Sequence, residues 1–495
     1  MTSRHAGSES RHIARRIVIE GDLVLQTPAH FGGGESDGTT VLLLEDPLSG
    51  SPLLPGASLA GALRHYLVQR EFGFRAAEES GSLAAQLFGT AYDRNRGAQS
   101  RVIVDDALGS GEGHLLEGRD GVKINEKYRT AEEGGLYSFN VWTVGTCFSL
   151  RLELCLYQHD PNDVATADDA DRLVGALATA LTAVGEGQIP LGGRKHRGYG
   201  RAKVTGWRVR DYRFETSEGL VDWLQHGGLA LNEPTHASLY QALGVIEMPE
   251  DARSFVRIDA EFSLEDSLLI RAGADIVDMA HLMSRNADGE LQAVLSGTSI
   301  AGALRARTQK IAATLNVRHA KKLIDDMFGK YGGDREISEE SEPSASRVIV
   351  EEHLIEGGLF DPVQNRVRID RFTGGAFDTG LFGQQPVFAN EDTMVPIKLE
   401  LRYPANASEE ELLRVDAEAG LLLLTLKDLW TRDLPLGGES SIGRGRLSGR
   451  KATITLHTPE FQNEISLRDS PHALSPEERD QLERFVTALQ GLRRG

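Results

Sequence analysis

Apolar and polar residues alternate in four clear stretches, and each predicts a half-buried strand. They are Ile17 to Leu25, Phe148 to Leu156, Val256 to Leu264, and Val395 to Leu401. Helical spacing marks Asp168 to Val184 as one amphipathic helix. It also marks a C-terminal helix with Leu482, Val486, Leu489 and Leu492 on one face. Ser475-Pro476-Glu477-Glu478 has the form of a capping box that opens it. Arg101 to Val104 and Arg347 to Val350 are short strand-like runs. Between Ala107 and Val144 the pattern is polar and glycine-rich, which predicts a long protruding hairpin.

One turn-then-helix stretch occurs twice, as Leu54 to Arg64 (LPGASLAGALR) and Leu295 to Arg305 (LSGTSIAGALR). In each, Gly56 or Gly297 suits a tight turn with positive φ, and Ser58 or Ser299 suits a helix cap. Leu59 and Leu63, like Ile300 and Leu304, share one helix face. The N–H groups at such a helix start can hold a phosphate, with Arg64 and Arg305 nearby in sequence. A single capped amphipathic helix is common; the repeat makes this a repeated unit. Phe88-Gly89 recurs as Phe328-Gly329, Val122-Lys123-Ile124 as Val367-Arg368-Ile369, and Ile189 to Gly193 as Leu434 to Gly438. The landmarks stay 240 to 246 residues apart. The order in each unit is strand, turn-helix, strand, hairpin, strand-helix, glycine loop, strand. It predicts an α+β protein of two tandem ferredoxin-like domains, each with helices on one sheet face and a protruding thumb hairpin. The expected boundaries are a tail over 1–16, a first domain over 17–213, a linker over 214–253, a second domain over 254–460 and a C-terminal helix over 461–495.

Composition narrows the function classes. The chain has 495 residues, is 40% hydrophobic and carries a formal net charge of −19. That charge argues against coating DNA by bulk attraction, while a locally basic groove can still bind RNA. Cys147 and Cys155 are the two cysteines. Eight residues of one strand part them by roughly 26 Å, beyond the ~7 Å a disulfide allows. A reducing, cytoplasmic setting is expected. No apolar run reaches the ~18 residues of a membrane span.

Candidate chemistry lies in the loops. Arg194, Lys195, Arg197, Arg201 and Lys203 crowd the first glycine loop of an otherwise acidic chain. Guanidinium forks suit phosphate, so the loop is a candidate for the RNA backbone. The second loop keeps Arg444, Arg446 and Arg450, with Glu439 in the place of Arg194. The hairpins carry Lys123, Lys127, Tyr128, Arg129, Tyr137 and Phe139 in the first unit. In the second they carry Arg366, Arg368, Arg371, Phe372 and Phe377. Cations track a strand and aromatics stack unpaired bases. There is no HExxH, Walker motif or triad. Each unit instead has a loop carboxylate before its turn-helix motif, Asp37 in one and Asp278 (beside Asp275) in the other. A lone loop aspartate is commonly a turn residue. Its recurrence makes it a candidate for a magnesium ion or for a 2′-hydroxyl proton.

These motifs together resemble the RAMP superfamily of CRISPR-associated proteins, and within it the Cas-seven-type backbone subunits of type III effector complexes. The resemblance rests on the two turn-helix motifs, Leu87-Phe88-Gly89, Arg368-Ile369-Asp370-Arg371-Phe372-Thr373-Gly374, and the glycine loops at Gly192 and Gly437. It implies a modified RNA-recognition fold whose subunits stack along a guide RNA beside other CRISPR effector subunits. It implies a thumb that kinks the guide–target duplex, and a loop aspartate supporting Mg2+-dependent cleavage of the target RNA. By position that aspartate corresponds to Asp37 and Asp278. The chain departs from the pattern at Ala60 and Ala301, where the family often has lysine, and at Ser296, where the first unit has Pro55. A scaffold without catalysis, and a metal-independent precursor-guide endoribonuclease using His30 or His196, stay open as alternatives.

Overall fold

The computed structural model describes residues 13–37, 40–79, 81–90, 98–111, 115–125, 130–157, 167–245, 248–273, 277–330, 344–468 and 474–493. In the first unit the chain runs β1 (Ile13–Leu25), α1 (Gly56–Phe72), α2 (Leu83–Phe88) and β2 (Val102–Val104). The hairpin β3–β4 (Leu116–Ile124 and Ala131–Trp142) follows, then β5 (Cys147–Tyr157), α3 (Ala167–Gly185) and β6 (Ala202–Arg213). The link carries α4 (Ser217–His226) and α5 (Leu239–Leu243). The second unit repeats the order with β7 (Ser254–Leu264), α6 (Gly297–Thr314), α7 (Ala320–Phe328) and β8 (Val348–Val350). Its hairpin is β9–β10 (Gln364–Ile369 and Ala376–Gln385), followed by β11 (Met394–Tyr403), α8 (Glu409–Trp430) and β12 (Leu447–His457). Last come β13 (Gln462–Arg468) and α9 (Pro476–Gly491). Shorter strands lie in the loops.

Both sheets are antiparallel with the ferredoxin-like order, β6-β1-β5-β2 in the first unit and β12-β7-β11-β8 in the second. The alternation explains why. Ile17, Ile19, Leu23 and Leu25 join Leu150, Leu152, Leu154 and Leu156 on one buried face. Leu59, Leu63 and Leu67 of α1 and Leu173, Leu177 and Leu181 of α3 cover it. Val256, Ile258, Ala260 and Phe262 do the same in the second unit under α6 and α8.

The opposite face of each sheet is polar, and that of the first is covered rather than open to RNA. In the first, Arg16 pairs with Glu153 and lies 4.3 Å from the Trp223 ring centroid. Glu20 accepts from Arg151 at 2.5 Å and from the Leu231 N–H at 3.1 Å. The expected linker is therefore a built cover, with α4 and the residues after it sealing the sheet. In the second, Arg257 and Arg402 flank Glu400 at 2.7 and 2.8 Å, and Arg402 lies over Phe74 of the first unit at 4.5 Å. Burial pushes the Glu400 carboxyl up, but the two guanidiniums overcome that and hold it at about 2.

Two elements differ from the pattern-based expectation. The segment after 461 is not all helix. β13 first pairs with β12, although QNEISLR is too short and polar to announce a strand, with Ile465 its one fully buried apolar residue. Residues Ala107–Ser110 fold back onto the sheet edge, so the thumb is the narrower Leu116–Trp142 hairpin. α9 docks on α8, where Asp416 accepts from Arg484 at 2.7 and 2.8 Å and from the Tyr403 hydroxyl at 2.9 Å.

Candidate nucleic-acid interface

The two turn-helix motifs build the helix layer. Gly56 and Gly297 are the first helical residues and do not have positive φ. The N-caps are Pro55 and Ser296, so Ser58 and Ser299 sit inside the first turn rather than capping it. Glycine is required by close approach. A Cβ on Gly56 would overlap the Val104 carbonyl, and one on Gly297 would overlap the carbonyl of Arg197. The Gly56 N–H donates to Asp106 Oδ1 at 2.7 Å, so a carboxylate occupies the start of α1 where a phosphate was expected. Arg64 forms a fork on Glu78 with both bonds at 3.0 Å. Arg305 donates to Asp325 at 2.6 Å and to the Gly329 carbonyl at 2.7 Å. Arg305 ties its long helix to the short one after it, and Arg64 ties its own to the loop that leads into α2.

The glycine loops repeat in backbone detail. Arg194 and Glu439 are left-handed at φ 54° and 60°, and each opens a short 3-10 turn, Lys195–Arg197 or Ser440–Ile442. Gly200 and Gly445 are left-handed too, and a Cβ on either would overlap the loop's own carbonyl, Leu191 or Leu436. These glycines let the loop close on itself rather than approach a ligand.

The first loop faces the second unit. Arg201 donates to Glu351 at 2.5 Å, and Arg197 donates to the Phe328 carbonyl at 3.0 Å. Burial and the neighbouring Arg305 lower Arg197 to about 10. Burial, then Arg402, holds His196 at about 4 and lowers Lys195. Arg119, with 1% of its surface exposed, donates to Glu352 at 3.0 Å and to Ser284 at 2.8 Å. Burial raises the Glu352 carboxyl while Arg119 pulls it down. Arg197 and Arg201 thus hold the two units together, which corrects their reading as phosphate contacts. Arg119, Glu351 and Glu352 were missed. Nothing in the local pattern of a polar hairpin marks Arg119 as buried.

At each thumb base the same positions carry opposite chemistry. In the first unit, exposed Arg194 lies 3.9 Å from the Phe139 ring centroid and 5.1 Å from that of Tyr137, with Tyr199 buried behind. His30 Nδ1 lies 2.8 Å from the Asn140 carbonyl oxygen in the same cluster. In the second, Arg444 replaces Tyr199, Gln384 replaces Phe139 and Glu439 replaces Arg194. Arg444, 2% exposed, bonds Glu439 at 2.9 Å, Gln364 at 2.7 Å and Ser267 at 3.2 Å. It is a structural hub, and burial removes it from the candidate RNA contacts. Arg446 stays exposed.

The thumbs present the exposed basic and apolar surface. Lys123 pairs with Glu132 across the first hairpin at 3.1 Å; Lys127, Tyr128 and Arg129 lie outside the described residues. Val122, Ile124 and Leu136 are exposed on the same hairpin. In the second, Arg368 lies 4.8 Å from the Phe377 ring centroid and Arg371 is exposed. Asp370 accepts from the N–H groups of Phe372 and Thr373 at 2.7 and 3.3 Å, a turn that leaves Phe372 100% exposed at the tip.

Asp278 is exposed at the root of this thumb, where its Oδ2 accepts the Gly383 N–H at 2.7 Å. Its loop also reaches the other thumb, since a Cβ on Gly273 would stand 3.6 Å from Asp120 Oδ2 of β3. Asp37 ends a strand, Gly32–Asp37, but its side chain lies outside the described residues, as does Asp275. Among the described residues no three His, Cys, Asp or Glu side chains gather as a metal cage. One carboxylate suits magnesium only if substrate phosphate and water complete the shell, which is common for that ion.

The family model of the RAMP superfamily matches residues 22–203 and again 268–448, more than half of the chain. The chain belongs to the RAMP superfamily. The two matched regions are the two units, so it is a tandem RAMP protein. RAMP membership carries the coarse function of a CRISPR-associated RNA-binding subunit. No curated protein matches the chain. Among the described residues no helix is long and apolar enough to cross a membrane. Of the RNA contacts expected from the sequence, Ser58, Lys123, Arg194, Lys195, Arg368, Arg371 and Arg446 stand exposed on this RAMP scaffold.

Proposed function

We propose that this chain is a guide-RNA-binding backbone subunit of a type III CRISPR effector complex in the cytoplasm, and that it cleaves target RNA with a divalent metal at its loop aspartates. The observation that carries the reading is the position of Asp278, exposed at the root of the second thumb in a loop whose Gly273 lies beside Asp120 of the first. A-form geometry keeps a 2′-oxygen out of line with the adjacent phosphate, so cleavage needs a displaced nucleotide. An exposed tip such as Phe372, flanked by Arg368 and Arg371, suits that displacement. The hairpin of one unit supplies the displacement, and the loop aspartate of a neighbouring unit supplies the carboxylate. Magnesium, held by Asp278 with the substrate's own phosphate, would supply charge relief at the phosphate. The test is cleavage of end-labelled target RNA by the assembled complex in magnesium. Asp278→Ala is expected to remove one cut and Asp37→Ala another, with guide and target binding retained. An intact ladder from both variants would overturn the catalytic part.

A scaffold without catalysis is the second reading. It is favoured by the bond from Gly383 to Asp278, which gives that carboxylate a structural task.

A further inference from the structure

Charge is unevenly spread over this acidic chain. Residues 291–324 contain no Asp or Glu, the longest such stretch in a chain of net charge −19. Of its cations, Arg305 and Arg307 pair with Asp325 and Asp428. Lys310, Arg318, Lys321 and Lys322 are exposed and, among the described residues, pair with no carboxylate. The end of α9 brings a fifth cation to them. The Arg318 N–H donates to the Leu492 carbonyl at 2.8 Å and its guanidinium to the Gly491 carbonyl at 2.9 Å, while Arg493 donates to the Leu315 carbonyl at 3.1 Å. Arg493 and His319 are exposed as well.

Nothing in the fold calls for these charges. Lys321 and Lys322 stand in the first turn of α7, where cations oppose the helix macrodipole. In that turn α8 carries Glu409, Glu410 and Glu411, and α9 carries Glu477 and Glu478. Asp325 is spaced to pair with Lys321 along α7, but Arg305 holds it at 2.6 Å. The first unit reverses the sign. With Phe88 set against Phe328, Glu78 and Glu79 stand where the second unit has Arg318 and His319. The surface is also unlike a protein interface, which gathers apolar and aromatic side chains at its centre. No large apolar side chain is exposed over residues 310–322 or 487–493. Cations without an apolar centre suit a polyanion, whose binding is driven by the release of counterions.

We propose that Lys310, Arg318, Lys321, Lys322 and Arg493 form a second contact surface for the phosphodiester backbone of an RNA strand, separate from the thumbs. With 18 residues, α6 runs about 27 Å. Its start lies against Arg197 of the first unit, and these cations gather at its far end. None of them belongs to a thumb or a glycine loop, so the surface does not depend on the thumbs displacing nucleotides. The choice of RNA over DNA rests on the RAMP membership of the chain.

The test is binding of fluorescent oligo(U) to the nuclease-treated full chain over a salt series. Lys310→Gln with Lys321→Gln and Lys322→Gln should lower the salt slope by about 2, at roughly 0.7 for each lost contact. The unfolding midpoint should not fall, because the change removes the wrong-signed charge from the start of α7. In a chain whose thumb carries Arg368→Ala and Arg371→Ala, salt-dependent binding should persist, and the three lysine substitutions should then remove most of it. That arm separates this surface from the thumb reading. An unchanged slope in both backgrounds would overturn the proposal. So would a midpoint that drops along with the affinity, which would make the lysines structural, or lysine-dependent binding of oligo(dT) tighter than that of oligo(U). Lysine-dependent binding of polyglutamate as tight as that of oligo(U) would overturn it too, and would assign the surface to an acidic protein.

Discussion

The carbonyl oxygen of Arg197, in the first unit, lies directly against Gly297, which opens the long helix of the second. Nothing larger than a hydrogen fits on that α-carbon. The glycine that looks like a turn residue in the sequence is the contact point between two domains. Gly297→Ala should therefore cost about 1–3 kcal/mol, as overpacked contacts do. Gly302, five residues on in the same helix, has nothing within 4 Å of a built Cβ. Gly302→Ala should stabilise by about 0.5–1 kcal/mol through helix propensity. Urea unfolding of both variants checks the pair, and equal effects would contradict the packing account.

Arg119 and Glu352 form the buried ionic centre of the same junction. Arg119→Met would leave Glu352 enclosed without its cation, at a cost of about 3–5 kcal/mol. Burial already raises this carboxyl. Without Arg119 it rises further, so the variant's deficit should shrink as pH falls and the group becomes neutral. Thermal unfolding from neutral to acidic pH measures this; a deficit that grows toward acid would refute it.

RNA affinity should separate exposed cations from structural ones. Alanine at Arg194, Arg368 or Arg371 should each lower the salt slope of single-strand binding by roughly 0.7 for a lost phosphate contact. Arg444→Ala should lower the unfolding midpoint instead, because it empties the hub between Glu439 and Gln364. Phe372→Ala should weaken binding by about 1–3 kcal/mol at an unchanged slope, the signature of lost stacking. A normal slope in all three arginine variants would place the RNA elsewhere.

Glu418 of α8 is enclosed with Arg347 beside it. Burial raises its carboxyl and Arg347 lowers it, leaving it at about 8 against an ordinary 4.5. The folded chain therefore holds a proton that the unfolded chain releases between these values. The resulting stability is fully present below 4.5 and is lost as pH rises toward 8. Glu418→Gln should flatten the unfolding midpoint across that window, and a variant as pH-dependent as wild type would contradict the assignment.

What the chain declares by itself is local and repeated. Alternation through Ile17–Leu25 and Val256–Leu264 was enough for two central strands, because a period of two sorts side chains to two faces without any neighbour. Phe88-Gly89 and Phe328-Gly329 end helices as the spacing implies, with both glycines left-handed. The constant offset carried the duplication and hence the fold. The environment of each copy was decided in three dimensions. Arg197 and Ile442 occupy the same backbone turn, yet one is packed against another domain and the other is exposed. Arg444 reads as a loop cation but is buried, because Gln364 and Gln384 arrive from a hairpin some 60 to 80 residues away in the chain. Periodicity records which face of its own element a residue occupies. Burial and ion pairing depend on which distant element lies on that face, and only packing brings the two together.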